Sequence, residues 1–145
     1  MLNRMELTFL SRAQNEAFAR VAVAAFVVQL NPTLPEMADV KTAVSEAVTN
    51  AIVHAYPDTL GKVTLIMKLF EDNVVEITVK DLGVGIADLE QARTPLFTTG
   101  GVERAGMGFT IMESFMDGMK VRSVPDKGTT VILSKKISRR MGGVR

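Results

Sequence analysis

Three polar side chains recur at intervals of four residues in the otherwise apolar segment Ser45–His54. They are Glu46, Asn50 and His54. On a helix, residues four apart lie about 40° apart around the axis, so the three side chains share one face. Burying a carboxylate and an amide costs free energy unless hydrogen bonds, a metal or a ligand compensate. The stripe therefore indicates either a functional site or a helix face turned to water, and both interpretations stay open at this point.

Two clusters of glycines follow further along the chain. Asp81 precedes Gly83 and Gly85 at the end of a predicted strand, and Gly106 and Gly108 precede a predicted helix. Glycines let the main chain approach a ligand closely, and a carboxylate at a strand end can accept a hydrogen bond from an exocyclic amine. Backbone N–H groups at a helix entry suit phosphate oxygens. Taken alone, each cluster is more often a plain turn or a helix entry without ligand.

The usual phosphate-binding motifs are missing from both clusters. The chain has no G-x-x-x-x-G-K-[ST] sequence, and the segment that begins at Gly83 lacks the third glycine of G-x-G-x-x-G. These absences disfavour a P-loop NTPase, a Rossmann enzyme and an ordinary eukaryotic-type protein kinase.

Length and composition predict one globular domain. The chain has 145 residues, of which 47% are hydrophobic and 23% charged, enough to bury a real core. We expect one domain over residues 1–137 and a basic, disordered tail over 138–145. A net charge of +1 supplies no broad field for nucleic acid or an anionic membrane, so we expect neither as a direct partner.

The chain has no cysteine and one histidine. Disulfides and thiolate zinc sites are thereby excluded, a zinc cluster is disfavoured, and a reducing, cytoplasmic setting fits. The longest uncharged apolar run in the first thirty residues, Val21–Val28, is far too short to span a membrane and lacks the layout of a cleavable signal.

The first elements that the sequence predicts are a strand and two helices. Alternation predicts a strand over Met5–Leu10, and Ser11 with Gln14 resembles a capping box that opens a helix ending near Leu30. The apolar positions of this helix are Ala17, Val21, Ala24, Ala25 and Val28. A cap at Thr33 with Pro35 in the first turn opens a second helix, which ends near Tyr56. Its apolar positions are Val40, Val44, Ala47, Val48, Ala51 and Ile52.

The rest of the chain predicts two hairpins around a loop and a helix. The hairpins comprise 62–70 with 73–80 and 119–124 with 129–137. Breaker residues predict a short helix and then a mobile loop over 87–106, followed by a helix over Phe109–Met116. The fold class that this order predicts is α+β, a two-layer sandwich with a mostly antiparallel sheet and helices on one face.

The order of the motifs resembles a known family, the Bergerat-type ATP-binding fold shared by gyrase-type ATPases, histidine kinases and small serine kinases that act as anti-sigma factors. Glu46 and Asn50 match its N box, Asp81 with its two glycines matches the G1 box, and Gly106 with Gly108 matches the G2 box. Thr130 matches its late threonine. The likeness is greatest to the sporulation anti-sigma branch and is carried by the segments SEAVTNAIVHAY, PLFTT, GMGFTIMESFMD and KGTTV.

The resemblance implies ATP or ADP and Mg²⁺ as cofactors and gives roles to the matching residues. Glu46 would be the general base toward a serine hydroxyl, Asn50 the Mg²⁺ ligand, and Arg104 the cation that offsets charge on the transferred phosphoryl group. Asp81 would hold the adenine amine, with support from Thr130. The nucleotide-binding residues implied are Asn50, Asp81, Gly83, Gly85, Thr98, Thr99, Gly106, Met107, Gly108 and Thr130. Residues 87–105 would form a lid over ATP.

Two functions follow from the resemblance. In the first, the chain is an ATP-dependent serine kinase that sequesters a sporulation-type RNA polymerase sigma factor and phosphorylates an anti-anti-sigma factor. In the second, the same site is a nucleotide-gated protein-binding module without phosphotransfer. The presence of Glu46 favours the first. The resemblance and the apolar first helix and strand also predict a homodimer.

Overall fold

The computed structural model describes residues 1–85 and 100–138, and for residues 100–107 it describes the backbone alone. The helices are α1 (Gln14–Val27), α2 (Leu34–Asn50) and α3 (Gly100–Phe115). The strands are β1 (Asn3–Leu10), β2 (Lys62–Phe70), β3 (Val74–Asp81), β4 (Gly118–Val124) and β5 (Gly128–Lys136). A 3-10 turn, Val28–Leu30, extends α1, and a π-helical turn, Ala51–Ala55, extends α2.

The strands form one sheet in the order β1-β2-β3-β5-β4, and every neighbouring pair is antiparallel. The register pairs Leu65 with Leu7 on one side and with Val79 on the other. Since side chains alternate along a strand, paired residues lie on the same face of the sheet.

The core lies on one face of this sheet. The buried residues of β2 and β3 alternate with partly exposed ones and are Val63, Leu65, Met67, Leu69, Val75, Ile77 and Val79. The helices contribute further members of the same cluster, among them Val23, Val44, Phe109 and Met112. The helices of the described ranges therefore cover the same face, and the predicted α+β sandwich is confirmed.

Helix α2 begins as the sequence predicts. The Thr33 hydroxyl accepts a hydrogen bond from the Glu36 N–H at 3.2 Å, and the Glu36 carboxylate accepts the Thr33 N–H at 2.8 Å. This capping box, with Pro35 in the first turn, satisfies N–H groups that the helix cannot. The predicted apolar positions of α2 are buried except Ile52, which is partly buried.

Helix α1 departs from its prediction in two respects. It begins at Gln14 without a side-chain cap, because the Ser11 hydroxyl instead accepts a hydrogen bond from the Gly61 N–H at 3.0 Å. Of the predicted apolar stripe, Ala24 is partly buried and the other four positions are exposed. The buried residues are Ala19, Val23, Phe26 and Val27. The helix is therefore apolar on two faces, and the core takes one of them.

Helix α3 begins earlier than predicted. The glycines at 100, 101 and 106 predicted a loop as far as residue 106, but the backbone is helical from Gly100. Each glycine costs a helix interior about 1 kcal/mol relative to alanine. Packing against α2 outweighs this cost, because the α3 side chains of Phe109 and Met112 are fully buried in the core. The rest of the predicted loop and the basic tail beyond Ser138 lie outside the described residues. No described helix is long and apolar enough to cross a membrane.

Candidate functional site

The polar stripe of α2 faces α3 at Gly108. A Cβ atom at Gly108 would lie 3.0 Å from Asn50 Nδ2 and 3.3 Å from Glu46 Oε2. Gly108 is buried, so the absence of a side chain lets α3 approach the carboxylate and the amide closely. The structure thus brings the predicted base, the predicted metal ligand and a predicted G2-box glycine into contact.

Asn50 carries an unsatisfied buried group. Its Nδ2 atom is buried and has no hydrogen-bond partner among the described residues. A buried amide donor without a partner costs about 1–3 kcal/mol, and such groups in native proteins often await a ligand. Asn50 ends α2, and the π-helical turn that follows is a feature frequent at functional sites. His54 lies on that turn and is partly buried.

Asp81 is the buried acid of the site. Its Oδ1 atom accepts hydrogen bonds from the N–H groups of Gly83 at 3.0 Å and Thr129 at 3.1 Å. Burial raises the pKa of the Asp81 carboxyl above its usual value, and the two N–H bonds offset only part of that effect. Because both bonds use Oδ1 and no described residue bonds to Oδ2, the second oxygen can accept a hydrogen bond from a ligand.

The loop after Asp81 is held by the end of the helical segment that carries Asn50. The Val84 N–H donates to the Ala55 carbonyl at 2.9 Å. A Cβ at Gly83 would overlap that same carbonyl oxygen, so the position requires glycine. Gly85 has a φ of 72°, and a Cβ there would overlap the Val124 carbonyl. Both predicted glycines therefore fit the loop against the protein's own backbone.

Thr130 is not brought to Asp81. It pairs with Lys80 in the β3–β5 ladder, so its side chain lies on the opposite face of the sheet from that of Asp81. Its neighbour Thr129 supplies the N–H to the carboxylate. The predicted support of Asp81 thus comes from the backbone one residue earlier than expected.

The predicted helix-entry position of Gly106 and Gly108 is wrong. Both lie inside α3, where a backbone N–H ordinarily bonds to the carbonyl four residues earlier, and their role toward the nucleotide stays a prediction. The side chains of Arg104 and Met107 are not described, and Thr98 and Thr99 lie outside the described residues. Their predicted roles therefore stay predictions.

Three contributors were missed at the sequence level. Besides Thr129, they are Gly128, whose φ is 116° and whose Cβ would overlap the Asp81 carbonyl, and Tyr56, whose hydroxyl accepts the Leu82 N–H at 2.8 Å. Gly128 could have been recognised from the sequence, because it is the glycine of the predicted turn before β5. Nothing in the local sequence marks Tyr56.

Known proteins match most of the chain. The histidine kinase-like ATPase domain family matches residues 9–135. Over 140 residues the chain is 56% identical to the anti-sigma F factor of Geobacillus kaustophilus, a match that covers 96% of both chains. It is 58% identical over 137 residues to the anti-sigma F factor of Pasteuria penetrans, covering 93% of this chain and 91% of that one.

A more distant anti-sigma F factor and a solved structure extend the comparison. The anti-sigma F factor of Clostridium perfringens is 52% identical over 139 residues, covering 95% of this chain and 99% of that one. Among solved structures, the RsbU and RsbW domains from Mycobacterium tuberculosis superpose with a TM-score of 0.71 at 19% identity. The match covers 99% of this chain and 35% of that chain, and at this identity it bears on the fold alone.

Proposed function

The chain belongs to the histidine kinase-like ATPase family and, within it, to the anti-sigma F factors, and from this premise we propose a protein serine kinase that is also a sigma-factor inhibitor. With ATP bound, it sequesters an RNA polymerase sigma factor of the sporulation type. It transfers the γ-phosphoryl group of ATP to a serine of an anti-anti-sigma factor. A soluble, cytoplasmic protein is part of this proposal.

The contact of Glu46 and Asn50 with Gly108 carries the proposal. It sets a carboxylate and an amide side by side, one helical turn apart, where two helices meet. A nucleotide-gated binding module needs a nucleotide site but no carboxylate beside the transferred group. Glu46 in this position supports phosphotransfer.

The side chain of Asn50 fits a Mg²⁺ ion in its chemistry. Mg²⁺ takes oxygen ligands and is usually held through one or two protein side chains, phosphates and water, and the Asn50 carbonyl oxygen is a ligand of that kind. The unpartnered Nδ2 group can instead donate a hydrogen bond to a phosphate oxygen beside the ion. Asn50 would hold the ion through its carbonyl oxygen. When bound, Mg²⁺ neutralises charge on the phosphate oxygens.

Glu46 acts on the incoming serine. Its carboxylate accepts the proton of the serine hydroxyl as the serine oxygen bonds to the γ-phosphorus and the bond from that phosphorus to the bridging oxygen of ADP breaks. Asp81 accepts a hydrogen bond from the adenine amine through Oδ2, and its Oδ1 stays bonded to the loop.

Replacing Glu46 by glutamine tests the phosphotransfer. With Mg²⁺ and ATP labelled at the γ-phosphate, the wild-type chain should label the anti-anti-sigma factor. Glu46→Gln should lower the labelling rate at least about 100-fold, because the amide cannot accept the proton. The dissociation constant for ATP, measured by equilibrium dialysis, should change by less than about twofold, because Glu46 is assigned no contact with the nucleotide base.

Glu76→Gln serves as the matched control, because Glu76 lies on the sheet face that none of the described helices covers. It should label the partner at the wild-type rate. Labelling by Glu46→Gln at the wild-type rate would remove the base role. A wild-type chain that binds ATP and labels no partner would instead indicate the nucleotide-gated module.

A further inference from the structure

Tyr56 joins two segments that border the Asp81 loop. Its hydroxyl donates to the Lys62 carbonyl at 2.7 Å and accepts the Leu82 N–H at 2.8 Å. A carbonyl can only accept a hydrogen bond and an N–H can only donate one. The hydroxyl must therefore donate its proton to Lys62 and accept from Leu82, and the roles cannot be exchanged. The ring packs against Gly61, where a Cβ would overlap it. Tyr56 is therefore fixed by its packing and by both of its hydrogen bonds.

The Tyr56 hydroxyl takes the place of one backbone hydrogen bond between β2 and β3. The register of β2 and β3 ends with Val63 opposite Asp81, so Lys62 and Leu82 would form the next pair. Between them the structure has the tyrosine oxygen in place of a direct N–H to carbonyl bond. The inserted hydroxyl holds the two backbones apart, and β3 ends at Asp81. Tyr56 thus marks the point at which the chain leaves the sheet.

Three successive N–H groups after Asp81 have separate acceptors. Leu82 donates to the Tyr56 hydroxyl, Gly83 to Asp81 Oδ1, and Val84 to the Ala55 carbonyl. The first and third acceptors are consecutive residues at the end of the helical segment that carries Glu46 and Asn50. The backbone of Leu82 sets where the Gly83 N–H points, and this N–H orients the carboxylate.

We propose that Tyr56 is a positioning residue for recognition of the nucleotide base, acting through Leu82 and Gly83 on the Asp81 carboxylate. The role rests on the proposed function, in which Asp81 accepts a hydrogen bond from the exocyclic amine of adenine. Loss of the hydroxyl leaves Leu82 and Lys62 free to pair directly, which draws the loop back onto the sheet. The Gly83 N–H then turns away from Oδ1, and Oδ2 loses its alignment with the amine.

Comparing ATP with inosine triphosphate tests this role, because the inosine base carries a carbonyl where adenine carries the amine. The wild-type chain should bind ATP at least about tenfold more tightly than inosine triphosphate. Tyr56→Phe keeps the ring contact with Gly61 and should weaken ATP binding about fivefold. It should change binding of inosine triphosphate by less than about twofold. The preference for ATP should therefore shrink.

Ser11→Ala is the matched control. It removes the bond from the Gly61 N–H to the Ser11 hydroxyl, beside Lys62, but it leaves the Tyr56 hydroxyl and both of its hydrogen bonds in place, and it should leave the preference for ATP unchanged. A wild-type preference retained in Tyr56→Phe would overturn the positioning role even if that variant melts at a lower temperature. A wild-type chain without a preference for ATP would overturn the Asp81 contact itself, and the positioning role with it.

Discussion

Asp81 is buried in the folded chain, and its hydrogen bonds leave one carboxylate oxygen without a partner among the described residues. Burial raises the pKa of its carboxyl above the ordinary 3.8. A group with a raised pKa contributes stability that is fully present below the unfolded value and is lost as pH rises through the folded value. At neutral pH the ionised Asp81 therefore lowers the stability of the fold, and under the proposed function the adenine amine offsets that cost.

Asp81→Asn should separate stability from binding. The neutral amide removes the buried charge, so the variant should melt at a higher temperature than the wild type at pH 7. Its Oδ1 can still accept the two N–H groups, but Nδ2 then faces the adenine amine, donor against donor. ATP binding should weaken at least about tenfold, and the preference should shift toward inosine triphosphate.

The pH dependence distinguishes this explanation from a general change in packing. The difference in melting temperature between Asp81→Asn and the wild type should shrink as pH falls through the folded pKa toward 3.8. Thermal melts followed by circular dichroism from pH 7 down to the ordinary pKa of 3.8 measure it. A difference that stays constant over this range would contradict the assigned cost.

The proximity of Glu46 and Asn50 was predictable because their chemistry and their spacing agree. Glu46 and Asn50 stand four residues apart on a helix, and the structure brings both against Gly108. Thr130 was predicted to support Asp81, but its side chain lies on the other face of the sheet. Successive strand residues point to opposite faces, and which residue points to which face depends on the pairing with the neighbouring strand. Tyr56 was missed because its hydrogen bonds reach residues 62 and 82, a pairing that only the folded sheet creates.

At the scale of elements, Gly108→Ala tests the contact between α2 and α3. Alanine favours a helix interior over glycine by about 1 kcal/mol, yet its Cβ would lie 3.0 Å from Asn50 Nδ2. Asn50 and Glu46 must move to accommodate it. We expect a melting temperature within about 5 °C of the wild type and phosphotransfer at least about tenfold slower.

Ser114→Ala is the control for helix propensity on the same element. Among the described residues its hydroxyl bonds only to the Thr110 carbonyl of α3, and the side chain is exposed. This variant also gains propensity and should transfer phosphate at the wild-type rate, as measured with the labelled ATP assay. Wild-type transfer by Gly108→Ala would show that the approach of α3 has no part in positioning the base.

The elements themselves were predicted to differing extents. Both hairpins occur within one or two residues of their predicted bounds, because alternation and turn residues are local signals. The start of α3 was predicted too late, because glycine propensity is local whereas the burial of Phe109 and Met112 against the core is not. The cap assigned to Ser11 failed for a similar reason, since its hydroxyl is used by Gly61, fifty residues away.

At the scale of the whole molecule, the sheet and helices account for one apolar face of α1 and leave the other exposed. Phe18, Val21 and Val28 are 63%, 64% and 60% exposed, and Ala25 lies between them. The resulting spacing of three, four and three residues is that of a helix seam. The sequence predicted an apolar stripe here, and only the fold reveals that the side chains buried in the core lie on the other face of α1. Beside it, β1 is an edge strand with Met5 49% exposed.

We infer that this stripe pairs two copies of the chain, since a second α1 offers the same complementary seam and a two-fold axis closes the assembly. Sedimentation velocity at micromolar concentration should then show a dimer. Val21→Glu places a charge at the centre of the seam and should raise the dimer dissociation constant at least about tenfold. Thr42→Glu adds the same charge at an exposed position of α2 and should leave the dimer intact. A wild-type chain that sediments as a monomer, or a Val21→Glu variant that dimerises as the wild type does, would place the stripe outside any interface between copies.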